Sequence, residues 1–114
     1  MPYIKIETSK KLDEPAIEEL LTKTTAFIST LIDKPEQYIM ISINQGTPIM
    51  FSNNIGPAAY VELKSIGLNH NKCEEFSRNI CGFIEKELEI PPDRVYIEFC
   101  ALNGKMFGWN SRTF

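Results

Sequence analysis

Few residues in this chain could do chemistry, and two stand out by type and position. Pro2 follows Met1, and Lys34 stands just ahead of Pro35. With Met1 attached, the Pro2 nitrogen is an amide without a basic lone pair. With Met1 removed, it becomes a secondary amine held rigidly by its ring at the start of a strand. An apolar surrounding and a nearby cation both disfavour the protonated amine. Its pKa would then fall below the usual α-amino range of about 7.7–8.0. A base works best near the working pH. Lys34 is the candidate cation, and it would also bind the carboxylate of an anionic substrate. Each residue has a plainer alternative. Pro2 is a common residue after the first Met, and a helix-end lysine complements the dipole by roughly a few tenths of a kcal/mol.

The remaining reactive side chains offer less. Cys73, Cys81 and Cys100 are odd in number, form no C-x-x-C, and have only His70 to join them in a zinc set. On one helix, Cys73 and Cys81 would sit about 12 Å apart at 1.5 Å per residue. A disulfide needs roughly 4.4–6.8 Å between Cα atoms. Reduced, non-catalytic cysteines are the expectation, with no metal and no cofactor.

Period-two and period-3.6 patterns show what must position Pro2 and Lys34. Tyr3–Thr8 alternates, with Ile4 and Ile6 on one face and Tyr3, Lys5 and Glu7 on the other, as in a half-buried strand. Asp13 and Pro15 mark a helix start. Ile17, Leu20, Leu21, Thr24, Phe27, Ile28 and Leu31 then follow one helix face, while Glu18, Glu19, Lys23 and Ser29 fall mostly on the wet side. That helix should stop before Pro35. Tyr38–Ile43 is apolar with little alternation, the pattern of a strand covered on both faces. Turn residues crowd 44–57, where only Ile49–Phe51 could form a short strand. Ala58–Ile66 is a strand, and Cys73, Phe76, Ile80, Phe83, Ile84 and Leu88 stripe a second helix ended by Pro91-Pro92. Val95–Leu102 is another strand, and Gly104–Phe114 is a short tail more apolar than a solvated terminus should be.

The order strand, helix, proline, acid, strand occurs twice. Pro35-Glu36-Gln37-Tyr38 matches Pro92-Asp93-Arg94-Val95 at a separation of 57 residues, half of the 114-residue chain. The chain is therefore one α/β (α+β) domain of two βαβ pseudo-repeats, about 1–57 and 58–114. They give a four-stranded mixed sheet with two helices on one face. The other face has no helices, and Tyr38–Ile43 and Val95–Leu102 look too apolar to leave it wet. An apolar face of that size marks an interface, so an oligomer is expected.

Composition bounds the partners. Twelve Lys plus Arg stand against fifteen Asp plus Glu, for a net charge of −3, which argues against a nucleic-acid groove. No apolar run approaches the roughly 18 residues of a membrane helix. The N-terminus lacks a secretory h-region. A cytoplasmic protein is expected.

In register along nearly its whole length, the chain resembles the macrophage migration inhibitory factor (MIF) branch of the tautomerase superfamily. The resemblance rests on Met1-Pro2, Lys34-Pro35-x-x-Tyr38-Ile39, Ser65-Ile66-Gly67, Cys81-Gly82, Pro92-Asp93-Arg94-Val95-Tyr96-Ile97 and Gly108-Trp109-Asn110-x-x-Thr113-Phe114. It implies a homotrimer with a central β-barrel and a site at each subunit boundary. It also implies cofactor-independent keto–enol tautomerisation of small anionic substrates of the phenylpyruvate or dopachrome type. Carried over residue by residue, Pro2 is the general base, and Lys34 and the backbone of Ile66 contact substrate. Tyr38, Trp109 and Phe114 wall the pocket, and Tyr96 arrives from the adjacent subunit. Packing within the same chain is the plainer role for Trp109 and Phe114.

Two departures from the family pattern matter. Mammalian cytokine members carry a C-x-x-C where this chain has Ala58-Ala59-Tyr60-Val61, so any thiol oxidoreductase activity attributed to that motif should be absent. The same members have an amide residue where this chain has Glu98. A solvated strand position would leave Glu98 without effect. In the pocket, it would weaken binding of an anionic substrate and stabilise the protonated amine. The alternative function is a leaderless secreted signalling ligand whose partner is a receptor protein and whose tautomerase activity is incidental.

Overall fold

Ile4 and Ile6 are almost fully buried, while Tyr3, Lys5 and Glu7 alternate with them at the surface of strand β1 (Tyr3–Thr8). This pattern runs through a computed structural model that describes all residues 1–114. Helix α1 (Glu14–Ile32) begins at Asp13, whose side chain accepts the Ala16 N–H at 2.9 Å, with Pro15 in the first turn. Strand β2 (Met40–Asn44), strand β3 (Ala59–Ile66), helix α2 (Cys73–Leu88) and strand β4 (Val95–Leu102) follow. Each helix ends on a left-handed residue, Asp33 after α1 and Glu89 after α2.

The main sheet runs β2-β1-β3-β4. β1 and β2 are parallel, β3 and β4 are parallel, and β1 meets β3 antiparallel, so the two βαβ halves join back to back. Both helices cover one face. Ile4, Ile6, Val61 and Leu63 from the sheet pack with Leu20, Ile28, Ile80, Ile84 and Leu88 from the helices. Each such side chain contributes roughly 1.5–3 kcal/mol of burial.

The register corrects the expected reason for an apolar interface. Ile41 and Ile43 stand beside Ile4 and Ile6, and Ile97 and Phe99 beside Val61 and Leu63. Ile41, Ile43, Ile97 and Phe99 thus face the helices. At its centre the open face is charged. Lys5 lies 3.9 Å from both Glu7 and Glu62, and Lys64 lies 4.0 Å from Glu62. Apolar exposure gathers at the edges, at Met40 and Tyr96.

Three features also differ from the sequence reading. The strand expected over Tyr38–Ile43 starts at Met40, because Glu36–Tyr38 takes a 3₁₀ turn after Pro35. β2 has no fully buried residue, since it is the sheet edge rather than a strand covered on both faces. The strand considered at Ile49–Phe51 is absent. A tight turn holds only a bridge between Phe51 and Asn54, with Ser52 and Asn53 at positive φ. The tail is a hairpin, β5 (Gly108–Trp109) against β6 (Arg112–Thr113).

Candidate functional site

Pro2 sits at the mouth of β1 with its ring fully buried, and its C=O accepts the Met40 N–H at 3.1 Å. That bond pins the N-terminus between β1 and β2. Above it lies a cleft of about 660 Å³ whose walls include Met1, Pro2, Tyr38, Trp109 and Phe114. A pocket of this size suits a small molecule.

The aromatic wall is assembled from distant parts of the chain. Tyr38 comes from the 3₁₀ turn and meets Trp109 edge to face at 5.9 Å. Trp109 stacks on Phe114 at 6.1 Å, and Phe114 on Phe107 at 5.9 Å. The hairpin presenting Trp109 turns at Asn110 and Ser111, both at positive φ, the two-residue geometry that matches strand twist. Phe114 is tied down by its N–H, shared between the C=O groups of Gly104 and Phe107. A Cβ at Gly104 would lie 3.2 Å from the Phe114 backbone oxygen, so a larger residue there would press on the end of the tail.

Lys34 follows the end of α1, near enough to the terminal amine for its charge to act there. Ser29 is half-buried and turned to the helix end instead of to solvent. Its hydroxyl donates to the Lys34 C=O at 2.6 Å, and its own C=O accepts the Lys34 N–H at 3.1 Å. Lys34 and Ile66 line a smaller pocket of about 200 Å³. The terminal amine, here on Met1, is lowered from its ordinary value, first by burial and second by the Lys34 charge.

Over residues 1–114 the sequence matches the family described as macrophage migration inhibitory factor (MIF). The chain belongs to the MIF family. A homolog of macrophage migration inhibitory factor from Trichinella spiralis is 34% identical, with all of both chains covered. The Xenopus tropicalis protein is 34% identical over 85% of each chain. Among solved structures, a homologue from Prochlorococcus marinus superposes with a TM-score of 0.90 at 41% identity over 98% of each chain.

Of the residues expected at the site of this MIF-family chain, Pro2, Tyr38, Trp109 and Phe114 come together, while Lys34 and Ile66 line a separate, smaller pocket. Tyr96 and Glu98 do not line the Pro2 cleft of their own chain. Tyr96 is 63% exposed and lines a separate cleft of about 500 Å³ with Ile49, Met50 and Phe51. Glu98 accepts the Tyr60 hydroxyl at 2.6 Å, which raises the Tyr60 pKa.

Sequence reasoning missed Tyr3, Met40, Lys64, Leu102 and Phe107 in the cleft wall. Strand alternation placed Tyr3 on the face opposite Ile4 and Ile6, but only the β1–β3 register sets Lys64 beside it. The three cysteines are free, and burial pushes the Cys81 thiol up, away from the reactive thiolate.

Proposed function

We propose that this chain is a cofactor-independent keto–enol tautomerase for small anionic substrates of the phenylpyruvate type, with Pro2 as general base. The observation that carries this reading is the placement of Pro2. Its ring is buried at the floor of an aromatic cleft, where burial and Lys34 already lower the amine one residue upstream. Removal of Met1 would transfer that amine to the more deeply buried Pro2, where both causes favour the neutral base.

In the proposed cycle the Pro2 nitrogen takes the proton α to the substrate ketone. The resulting enolate is held beside Lys34, which binds the substrate carboxylate, with the backbone of Ile66 as a further substrate contact. The protonated amine then returns its proton elsewhere on the enolate, which leaves the enzyme unchanged. Tyr38, Trp109 and Phe114 exclude water and seat the aromatic ring of the substrate. Tyr96, exposed on its own chain, completes the site of the adjacent subunit in a homotrimer whose sheets form a central barrel.

Intact-mass measurement beside a phenylpyruvate enol–keto assay tests the base. Protein starting at Pro2 should be active, while protein retaining Met1 should be folded and nearly inactive. Full activity in protein shown to retain Met1 would sink the mechanism. Sedimentation should give three times the 13.0 kDa protomer mass. A stable monomer at micromolar concentration would remove the shared site.

The relatives are named for inhibiting macrophage migration, and a second reading is that this chain is a secreted signalling ligand for a receptor protein. Binding to a receptor ectodomain that survives loss of tautomerase activity would support it.

A further inference from the structure

We propose that Arg94 is a positioning residue. It holds segment 51–57 against Tyr96 and thereby sets substrate affinity in the Pro2 cleft of the adjacent subunit. The inference rests on the proposed function for the placement of Tyr96 in that neighbouring cleft.

The Arg94 guanidinium makes four hydrogen bonds, all to backbone carbonyls. Nε donates to Pro57 at 2.9 Å, and Nη1 donates to Phe51 at 2.6 Å. Nη2 donates to Asn54 at 2.9 Å and to Gly56 at 3.0 Å. Four acceptors of one turn thus converge on one planar group. A lysine ammonium lacks the fork that reaches them together. No strand ladder holds this segment beyond the Phe51–Asn54 bridge, and its remaining carbonyls would otherwise turn to water.

The same guanidinium lies over the Phe51 ring at 5.3 Å from its centroid. Phe51 in turn packs against Tyr96, with centroids 4.7 Å apart and ring planes tilted by 44°. Arg94 stands two residues before Tyr96, in the turn Pro92–Arg94 that opens β4. One side chain therefore fixes both the strand bearing Tyr96 and the ring packed on it. Without Phe51 held in place, an exposed tyrosine at the sheet edge would sample several rotamers. A site completed by it would then bind substrate only in the fraction of time that the ring is correctly placed.

The experiment compares the mature wild type with Arg94→Lys, Phe51→Leu and the double variant, in phenylpyruvate turnover and sedimentation. Arg94→Lys should raise KM about fivefold with kcat within about twofold and the trimer intact. Phe51→Leu should raise KM similarly. The double variant should be no worse than the poorer single one, because both act by one route. A merely structural role predicts fewer folded sites, hence lower kcat per chain at unchanged KM, and that result overturns the proposal. Additive losses in the double variant overturn it as well. Should Arg94→Lys fail to fold, Phe51→Leu at wild-type KM still overturns it. An active, Pro2-dependent wild type with unchanged KM in Arg94→Lys removes this inference alone. An inactive mature wild type removes the proposed function and this inference with it.

Discussion

Ser29 grips Lys34 by both backbone groups, accepting its N–H at 3.1 Å and donating a hydroxyl to its C=O at 2.6 Å. The grip fixes where the lysine leaves the helix. Ser29→Ala should cost about 1 kcal/mol of stability, the typical value of one such bond. It should also raise KM for phenylpyruvate severalfold, while Lys34→Ala raises it about tenfold, or about 1.4 kcal/mol. The methyl ester of the substrate should lose much less with Lys34→Ala. Equal losses for acid and ester would show that Lys34 only complements the helix end.

The pH dependence follows from the direction of the amine shift. The Met1 amine is lowered by burial and by Lys34. In the mature protein the same two causes should act on the Pro2 amine, so kcat/KM should rise with pH as that amine deprotonates and then level off. Lys34→Ala removes one of the two causes and should move the rise to higher pH. An unmoved profile would separate Lys34 from the base. In protein retaining Met1 the same shift affects stability. Between the lowered value and 8.0 the unfolded chain binds more protons, so stability increases with pH across that window and the contribution is constant above it.

Pro2→Gly should fold and assemble but turn over about 10–100-fold more slowly. Its primary amine is free to rotate, and a small misplacement of a reacting group can cost about 100-fold. Activity equal to wild type would show that ring rigidity contributes nothing.

Thr24 is 1% exposed on the core face of α1, and its hydroxyl has no hydrogen-bond partner. Thr24→Val keeps the branched shape and removes the unpaired group. Urea unfolding should show a gain of about 1 kcal/mol, the lower end of the cost of burying such a group. A loss of stability would mean that the hydroxyl is satisfied.

Asn110 adopts φ 53°, where a branched side chain is strained. Asn110→Val should destabilise the tail hairpin by about 1–2 kcal/mol. It should also raise KM by displacing Trp109, while Asn110→Gly leaves both nearly unchanged. Indole fluorescence of Trp109, the only tryptophan, reports the displacement directly. Identical spectra in the three proteins would detach the turn from the cleft.

Much of the fold could be read from periodicity, because each apolar face answers to a local rule. Ile4 and Ile6 alternate, and Phe76, Ile80, Ile84 and Leu88 recur at helical spacing; both patterns were found where expected. The match of Pro35 with Pro92 announced two βαβ halves. The family motifs named Pro2, Tyr38, Trp109 and Phe114, four of the residues that line the cleft. The open sheet face was misjudged because an apolar stretch does not say which of its two faces carries the apolar side chains. The register of β2 on β1 turns Ile41 and Ile43 toward the helices and leaves charge in the middle of the open face.

What the sequence determined by itself was therefore every feature set by neighbours a few residues apart: helix starts, strand alternation, and an amine with a cation available to it. Tertiary structure decided which of these meet. Tyr38 and Trp109 form one wall, and Arg94 reaches the carbonyls of a turn some forty residues earlier, through contacts that no local spacing encodes. The physical reason is that a side chain's conformational preference is local, whereas its hydrogen-bond and stacking partners are chosen only when the sheet register closes. Register depends on the whole buried face at once, since a slip of one residue would turn every side chain of the strand to the other side.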